Sequence, residues 1–444
     1  MNRAVSAKKQ PRTFVRAMGL TFAGQGGLLL LGTLSSILAA RLLGPTGKGQ
    51  LVTATIAAGV LGLLTELGLR AAVIRVVAAG RATWKEGLAT MMVLYGSLCV
   101  IVLPLANEFF VLFHQRLFPH IPLYVLQIAL AGIPIGLIEG SLTSTLIGHQ
   151  HMPEVSAVWV MEKMGVIFGL VVLVLVLGFG VTGAVVAQLA GVIIGITIAL
   201  GLLSRLPGGV ARIRFDLVGE LLRFGSVWYG RNLATSLNYR LDALLVFHFQ
   251  GGFAAGLYAV AVSIAELLQY LPNTIDSVLF PNVSRGEAIA IEVRTARLSR
   301  FTVFVTVIGI LLIALFGYPV IYLFFGPSFT GGFPALLLLL PGMLALAQSK
   351  IIFSELLGRG YAKYPAIASW VALIATVTLD FLLIPTWGII GAALASTVAY
   401  TISALVGMRF YRDITGIGPR TLYVPRYVEI VDIVYRLGNV MRRR

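Results

Sequence analysis

The sequence predicts an all-α integral membrane protein of about twelve transmembrane helices in two six-helix bundles. Three observations carry that reading: the hydropathy of the chain, the placement of its basic residues and an internal repeat. Of 444 residues, 58% are apolar, 12% are charged and 49 are glycine, and the mean hydropathy is +0.92. A soluble domain of that composition has too few polar groups to cover its surface.

A bilayer core about 30 Å thick takes roughly 20 apolar residues per helix, and runs of that length recur from Ala17 to Arg409. The expected spans lie near 17–40, 50–70, 87–108, 121–147, 155–177 and 181–203, then 225–249, 254–280, 301–325, 333–357, 365–384 and 388–410. The first run follows Lys8, Lys9, Arg12 and Arg16 but is longer than the roughly 7 to 15 apolar residues of a secretory signal, so it reads as a retained helix. The single Cys99 excludes an intrachain disulfide or a cysteine metal set.

With a cytoplasmic N-terminus, basic residues gather on one side: Arg70, Arg75, Arg81 and Lys85 after span two; Arg205, Arg212, Arg214 and Arg223 after six; Arg285, Arg294, Arg297 and Arg300 after eight; Arg359 and Lys363 after ten. Only Arg41, Lys48 and Arg116 fall in the opposite loops, an asymmetry that puts both termini in the cytoplasm. The net charge of +16 is then accounted for by loops facing anionic headgroups, and no nucleic-acid partner is expected.

The halves match at an offset near 208 residues: Gly180-Val-Thr-Gly183-Ala184 with Gly388-Ile-Ile-Gly391-Ala392, Gly49-Gln-Leu51 with Gly256-Leu-Tyr258, and Leu146-Ile-Gly148 with Leu356-Leu-Gly358. A six-helix unit repeats in parallel orientation because six is even, and such repeats commonly surround a midplane cavity. The expected division is a cytoplasmic tail 1–16, an N-lobe 17–203, a basic amphipathic linker 204–224, a C-lobe 225–410 and a cytoplasmic tail 411–444. Tyr427, Ile430, Val431, Val434 and Leu437 in that tail are spaced for a surface helix.

Ionisable groups at bilayer depth cost at least about 2.5 to 3.5 kcal/mol, so each is expected to face a cavity or a partner. In span seven, Arg231, Thr235, Asn238 and Asp242 follow spacings of one helical stripe, with Arg240 on the opposite face. In span eight, Ser263, Glu266, Tyr270, Asn273 and Ser277 form another, beside Pro272. These stripes and Lys350 are the candidate cavity wall. Glu139 with Thr143, Glu162 and Lys163, Gln348, Glu355 and Asp380 are further intramembrane polar residues, and Glu66 is spaced to pair with Arg70. Acids in spans outnumber bases, and Asp242, Glu266, Glu139 and Asp380 are the candidates for coupling transport to a proton or sodium gradient. Gly132, Gly136 and Gly140 are spaced for close helix approach. His149 and His151 share a short loop without a carboxylate and cysteine set, too weak a pattern for metal.

Ala40-Arg-Leu-Leu-Gly-Pro45-Thr-Gly-Lys-Gly49 resembles the loop signature of the polysaccharide transport family in the multidrug/oligosaccharidyl-lipid/polysaccharide exporter superfamily, the Wzx-type O-antigen flippases, with Lys48 replacing an aromatic. Thr65-Glu-Leu-Gly68, Gly256-Leu-Tyr-Ala259, Leu279-Phe-Pro281 and Leu383-Ile-Pro385 through Ala395 extend the resemblance over essentially all spans, with Asp380 standing where the family often has Asn. The resemblance implies a V-shaped pair of bundles that moves undecaprenyl-diphosphate-linked oligosaccharide from the inner to the outer leaflet of a bacterial cytoplasmic membrane by alternating access. It adds membrane lipids and other polysaccharide assembly proteins as partners, and no cofactor or metal. A guanidinium matches the two oxygens of a pyrophosphate, which makes Arg231 the expected headgroup contact.

A drug/cation exporter of the same superfamily is favoured by the membrane acids and disfavoured by the Gly44-Pro45 signature. A lipid II-type flippase carries two further spans, for which nothing after Arg409 is apolar enough. A membrane glycosyltransferase or polymerase needs an acid/base or metal carboxylate set in an accessible loop, and the non-cytoplasmic loops are too short, so no enzyme is expected.

Overall fold

The structure is a computed structural model that describes residues 10–206, 210–284 and 288–423. Fourteen α-helices follow one another: α1 (Gln10–Glu66), α2 (Leu69–Ala78), α3 (Trp84–Leu117), α4 (Leu123–Leu130), α5 (Gly132–Gly148), α6 (Met152–Gly169), α7 (Gly180–Leu203), α8 (Phe215–Asn238), α9 (Leu241–Ala265), α10 (Tyr270–Ser284), α11 (Ala288–Val320), α12 (Phe333–Gly358), α13 (Lys363–Thr415) and α14 (Pro419–Tyr423). The surface helix expected around Tyr427–Leu437 lies outside the described residues.

Nine stretches are long and apolar enough to cross a membrane among the described residues, and three of them run to 41, 48 and 53 residues. At 1.5 Å per residue, even the shortest of these three would extend about 60 Å if straight, twice a bilayer core. Each is broken at a glycine: Gly44 (φ 67°), Gly251 (φ 80°) and Gly388 (φ 56°) adopt backbone angles outside the helix. Only glycine adopts these left-handed angles without a Cβ penalty, and Pro45 restarts the helix after Gly44 with its φ already set. The nine stretches therefore make twelve spans, as the hydropathy predicts. Gly180 (φ 54°) stands in the first half where Gly388 stands in the second, so the sequence repeat is also a repeat of helix breaks.

The chain divides into two compact units, residues 1–233 with 250–256, and residues 234–249 with 257–444. In the first unit, Thr83 and Glu86 form a capping box that starts α3, and Trp84 Nε1 donates to the Leu206 carbonyl at 3.3 Å. Trp84 also packs with Leu142, Leu146, Val158 and Leu203 in a core shared by α3, α5, α6 and α7. The outer surface is apolar, with Val100, Leu112 and Phe168 exposed, which suits hydrocarbon rather than water. Many hydroxyls in the spans bond back to the preceding turn, as Thr55 does to Leu51 and Thr145 to Ser141, so they need no partner in lipid.

Gly49 marks the tightest backbone approach in this unit. A Cβ there would lie 1.9 Å from the Gly252 carbonyl oxygen, and one on Gly256 would lie 1.9 Å from that of Pro45. Backbone cannot yield as a flexible side chain can, so Gly49→Ala is expected to lose most folded protein, read as the monodisperse yield in detergent. An unchanged yield would show that the two segments separate freely.

Of the Gly132, Gly136 and Gly140 stripe, Gly132 packs tightly against another helix, where a Cβ would lie 3.2 Å from Leu189 of α7. A Cβ on Gly136 would meet nothing within 4 Å, whereas one on Gly140 would meet the Arg70 guanidinium at 2.2 Å. The missing side chain makes room for Arg70, which donates to the Gly136 carbonyl at 3.1 Å and pairs with Glu66 at 3.4 Å.

Candidate functional site

The polar residues of the second unit separate into two groups. The stripe expected along span seven assumes one continuous helix, but α8 ends at Asn238 and α9 starts at Leu241, with Arg240 N–H turned to the Leu237 carbonyl. Arg231 lies in the first unit, and Thr235, Asn238 and Asp242 lie in the second. These three all face α13: Thr235 Oγ1 donates to Ser369 at 3.2 Å, Thr376 donates to Asn238 Oδ1, and Ser396 donates to Asp242 at 3.1 Å. Asn238 and Asp242 are 5% and 4% exposed, so the structure places them in a helix interface rather than on an open wall.

Asp242 is the most heavily bonded of them. Oδ2 accepts from the Tyr258 hydroxyl at 2.6 Å and from Ser396, and Oδ1 accepts from the Ala243 amide at 2.7 Å. Asp380, one turn after Thr376 on α13, is fully buried and neither oxygen has a hydrogen-bond partner. It lies close enough to Asp242 for the two charges to interact. Two ionised carboxylates in one dry pocket repel, and a proton or bound cation relieves the repulsion. Thr376 donates to Asn238 Oδ1 and Ser396 donates to Asp242, so these hydroxyls are already committed. Among the described residues no three His, Cys, Asp or Glu side chains gather around a metal position.

The second group is more open. Lys350 Nζ donates to Asn273 Oδ1 at 2.7 Å, Glu266 is exposed and Tyr270 half-buried. The span-eight stripe is not one regular face, because residues Glu266–Gln269 tighten into a 3-10 turn ahead of Pro272, which has no N–H to continue the α-helical ladder. Gln348 and Glu355 serve packing: Gln348 bonds Ser299, and Glu355 is held by Arg359 at 2.6 Å and Tyr411 at 2.8 Å.

In the first unit, Glu139 lies within electrostatic reach of Arg70, Glu162 and Lys163, and Lys163 pairs with Glu162 at 3.1 Å. His151 bonds Glu154 at 2.9 Å; one helical turn brings the two together. The sequence alone does not single out Thr376, Ser396 or Tyr258. Tyr258 lies inside the quoted Gly256-Leu-Tyr-Ala259 motif, and Thr376 is spaced one turn from Asp380, so both carried a readable signal.

Twelve spans, a parallel repeat of helix breaks and buried carboxylates at span depth define a polytopic all-α membrane protein. Two solved structures share this fold: the lipid II flippase MurJ in an inward closed conformation, 14% identical with a TM-score of 0.76 over 90% of this chain and 88% of that one, and an inward-facing multidrug resistance MATE family transporter of the MOP superfamily, 17% identical with a TM-score of 0.66 over 89% and 94%. The family model described as polysaccharide biosynthesis protein matches residues 14–287, and the chain belongs to that family. It is similar to the capsular polysaccharide biosynthesis protein CapF of Staphylococcus aureus (21% identity, over 40% of this chain and 46% of CapF) and to a putative O-antigen transporter of Shigella flexneri (22%, 42% and 45%). An uncharacterized membrane protein of Methanocaldococcus jannaschii, MJ1068, is 27% identical over 42% of this chain and 38% of its own length. The matched region spans less than half the length of each of these relatives.

Proposed function

We propose that the protein is a flippase that carries undecaprenyl-diphosphate-linked oligosaccharide from the inner to the outer leaflet of a cytoplasmic membrane, with both termini cytoplasmic, by alternating access coupled to a proton or sodium ion at Asp242 and Asp380. Polysaccharide biosynthesis membership and the MOP fold support the cargo class. The observation that carries the coupling is Asp380, fully buried with both oxygens unpartnered beside a second acid. In this reading Arg231, Glu266, Tyr270, Asn273 and Lys350 contact the cargo, Thr235, Asn238 and Asp242 transmit the occupancy of the ion site through α13, and Glu139 is a second ionisable position in the first unit. Membrane lipids and other polysaccharide assembly proteins are the remaining partners.

The test is outer-leaflet appearance of a lipid-linked oligosaccharide in proteoliposomes under an imposed proton or sodium gradient. Gradient-dependent flipping by wild type, lost in Arg231→Ala, supports the reading. Efflux of organic cations without any flipping would replace it with the drug exporter reading that the membrane acids also suit, and flipping confined to lipid II would replace it with the function of its fold neighbour.

A further inference from the structure

The Thr65-Glu-Leu-Gly68 motif plays no part in the acidic pair of the second unit. It ends α1 in a sharp break, with Leu67 at φ 42° and Gly68 at φ 68°. Here the chain packs backbone against backbone on α8: a Cβ on Gly68 would lie 2.3 Å from the Gly225 carbonyl oxygen, and one on Gly225 would lie 2.5 Å from that of Leu67. Beside this contact, wholly within the first unit, lies a cavity of about 390 Å³ lined by Leu67, Leu222, Arg223, Ser226 and Tyr229.

Three arginines of this unit are paired with acids: Arg70 with Glu66 at 3.4 Å, Arg81 with Glu220 at 2.8 Å, and Arg214 with Asp216 at 2.7 Å and Glu86 at 3.8 Å. Arg223 is exposed and makes no ion pair with a described residue. The next residue, Phe224, holds a second guanidinium, with Arg75 placed 4.6 Å over its ring. The cavity's own hydroxyls are committed, Ser226 to the Arg223 carbonyl at 3.1 Å and Tyr229 to that of Leu63 at 3.0 Å. Among the described lining residues the strong donor left is the Arg223 guanidinium, over a wall that is apolar at Leu67 and Leu222.

We propose that this cavity is a loading site for the diphosphate headgroup of a polyprenyl lipid, with Arg223 as its anion contact, Arg75 as a second positive charge and Leu67 and Leu222 against the first prenyl unit. The planar guanidinium fork matches paired phosphate oxygens. Ligand sites span roughly 300 to 1,000 Å³, and at about 390 Å³ this one has room for a diphosphate headgroup. The site lies at the basic end of span two, on the proposed cytoplasmic side, and the inference rests on the lipid-linked cargo of the proposed function.

The test is binding of farnesyl diphosphate to the full-length protein in phosphatidylcholine nanodiscs. Arg223→Ala is expected to weaken binding about tenfold or more, Arg223→Lys by less, and Arg116→Ala, which removes a basic residue from the opposite side, not at all. Inorganic pyrophosphate and phosphatidylglycerol are expected to compete poorly. Wild-type affinity in Arg223→Ala overturns the site, as does equal competition by phosphatidylglycerol, which would make it an ordinary anionic-lipid contact, or by pyrophosphate, which would remove the prenyl contact. Because binding is read without transport, a protein that binds through Arg223 yet flips nothing leaves the site standing and refutes only the flippase reading.

Discussion

Asp380→Asn is expected to abolish gradient-driven transport while raising thermal stability. A buried carboxylate without hydrogen bonds carries a desolvation cost of about 1–3 kcal/mol or more that folding does not recover, and Asp380 is 0% exposed with both oxygens unpartnered. The amide is nearly the same size and lacks the charge, so part of that cost disappears and the melting temperature in detergent rises. The same change removes the second charge from the pair with Asp242, leaving a site that holds a proton or cation more weakly, and transport should fall at least about tenfold. Asp242→Asn separates the two roles: Asp242 accepts from Tyr258, Ser396 and the Ala243 amide, so its amide loses satisfied bonds and is expected to lower both stability and transport. A destabilised Asp380→Asn with full gradient-driven transport would mean that Asp380 is a structural residue with a partner the ion-site reading overlooks.

Glu355→Ala is expected to cost stability without a specific effect on transport. Glu355 is 0% exposed and bridges Arg359 at 2.6 Å and Tyr411 at 2.8 Å, tying α12 to the end of α13. Removing one member of a buried pair costs about 3–5 kcal/mol when both are dry. The Arg359 side chain is 24% exposed, so the lower end of that range, about 3 kcal/mol, is expected in thermal unfolding. Transport per folded molecule should stay near wild type, and the Glu355→Ala, Arg359→Ala pair should recover part of the loss. Nearby, Leu422 of α14 is buried against Ile352, Phe353 and Tyr411, and Ser299 donates to its carbonyl at 2.9 Å. An undiminished melting temperature in Glu355→Ala would show that this end of the second unit does not depend on the ion pair.

The contrast between Asp380 and Glu355 marks where sequence reading stops. Both are acids at span depth, and hydropathy and position treat them alike. What separates them is whether a cation stands within reach: Arg359 is one helical turn from Glu355 and could have been read as its partner, whereas nothing on α13 compensates Asp380. The stripe from Arg231 to Asp242 fails for a different reason. Its spacing is sound for an uninterrupted helix, but the turn at Tyr239–Arg240 changes the phase, and Ser369, Thr376 and Ser396 meet it from 134 to 154 residues away. A chain of such length has too many ways to bring distant hydroxyls near for spacing to select one.

By itself the sequence determined the lipid environment, the twelve spans and the six-helix repeat, because each follows from local composition: apolar runs of bilayer length, and short motifs such as Gly180–Ala184 and Gly388–Ala392 that recur at a fixed offset. It also determined the family, through motifs that occur in order along the chain. Tertiary structure alone decided which intramembrane charges are satisfied, since desolvation and hydrogen bonding depend on neighbours distant in sequence. It turned Gly140 into space for Arg70, placed Asn238 and Asp242 against α13, and left Asp380 without a bond.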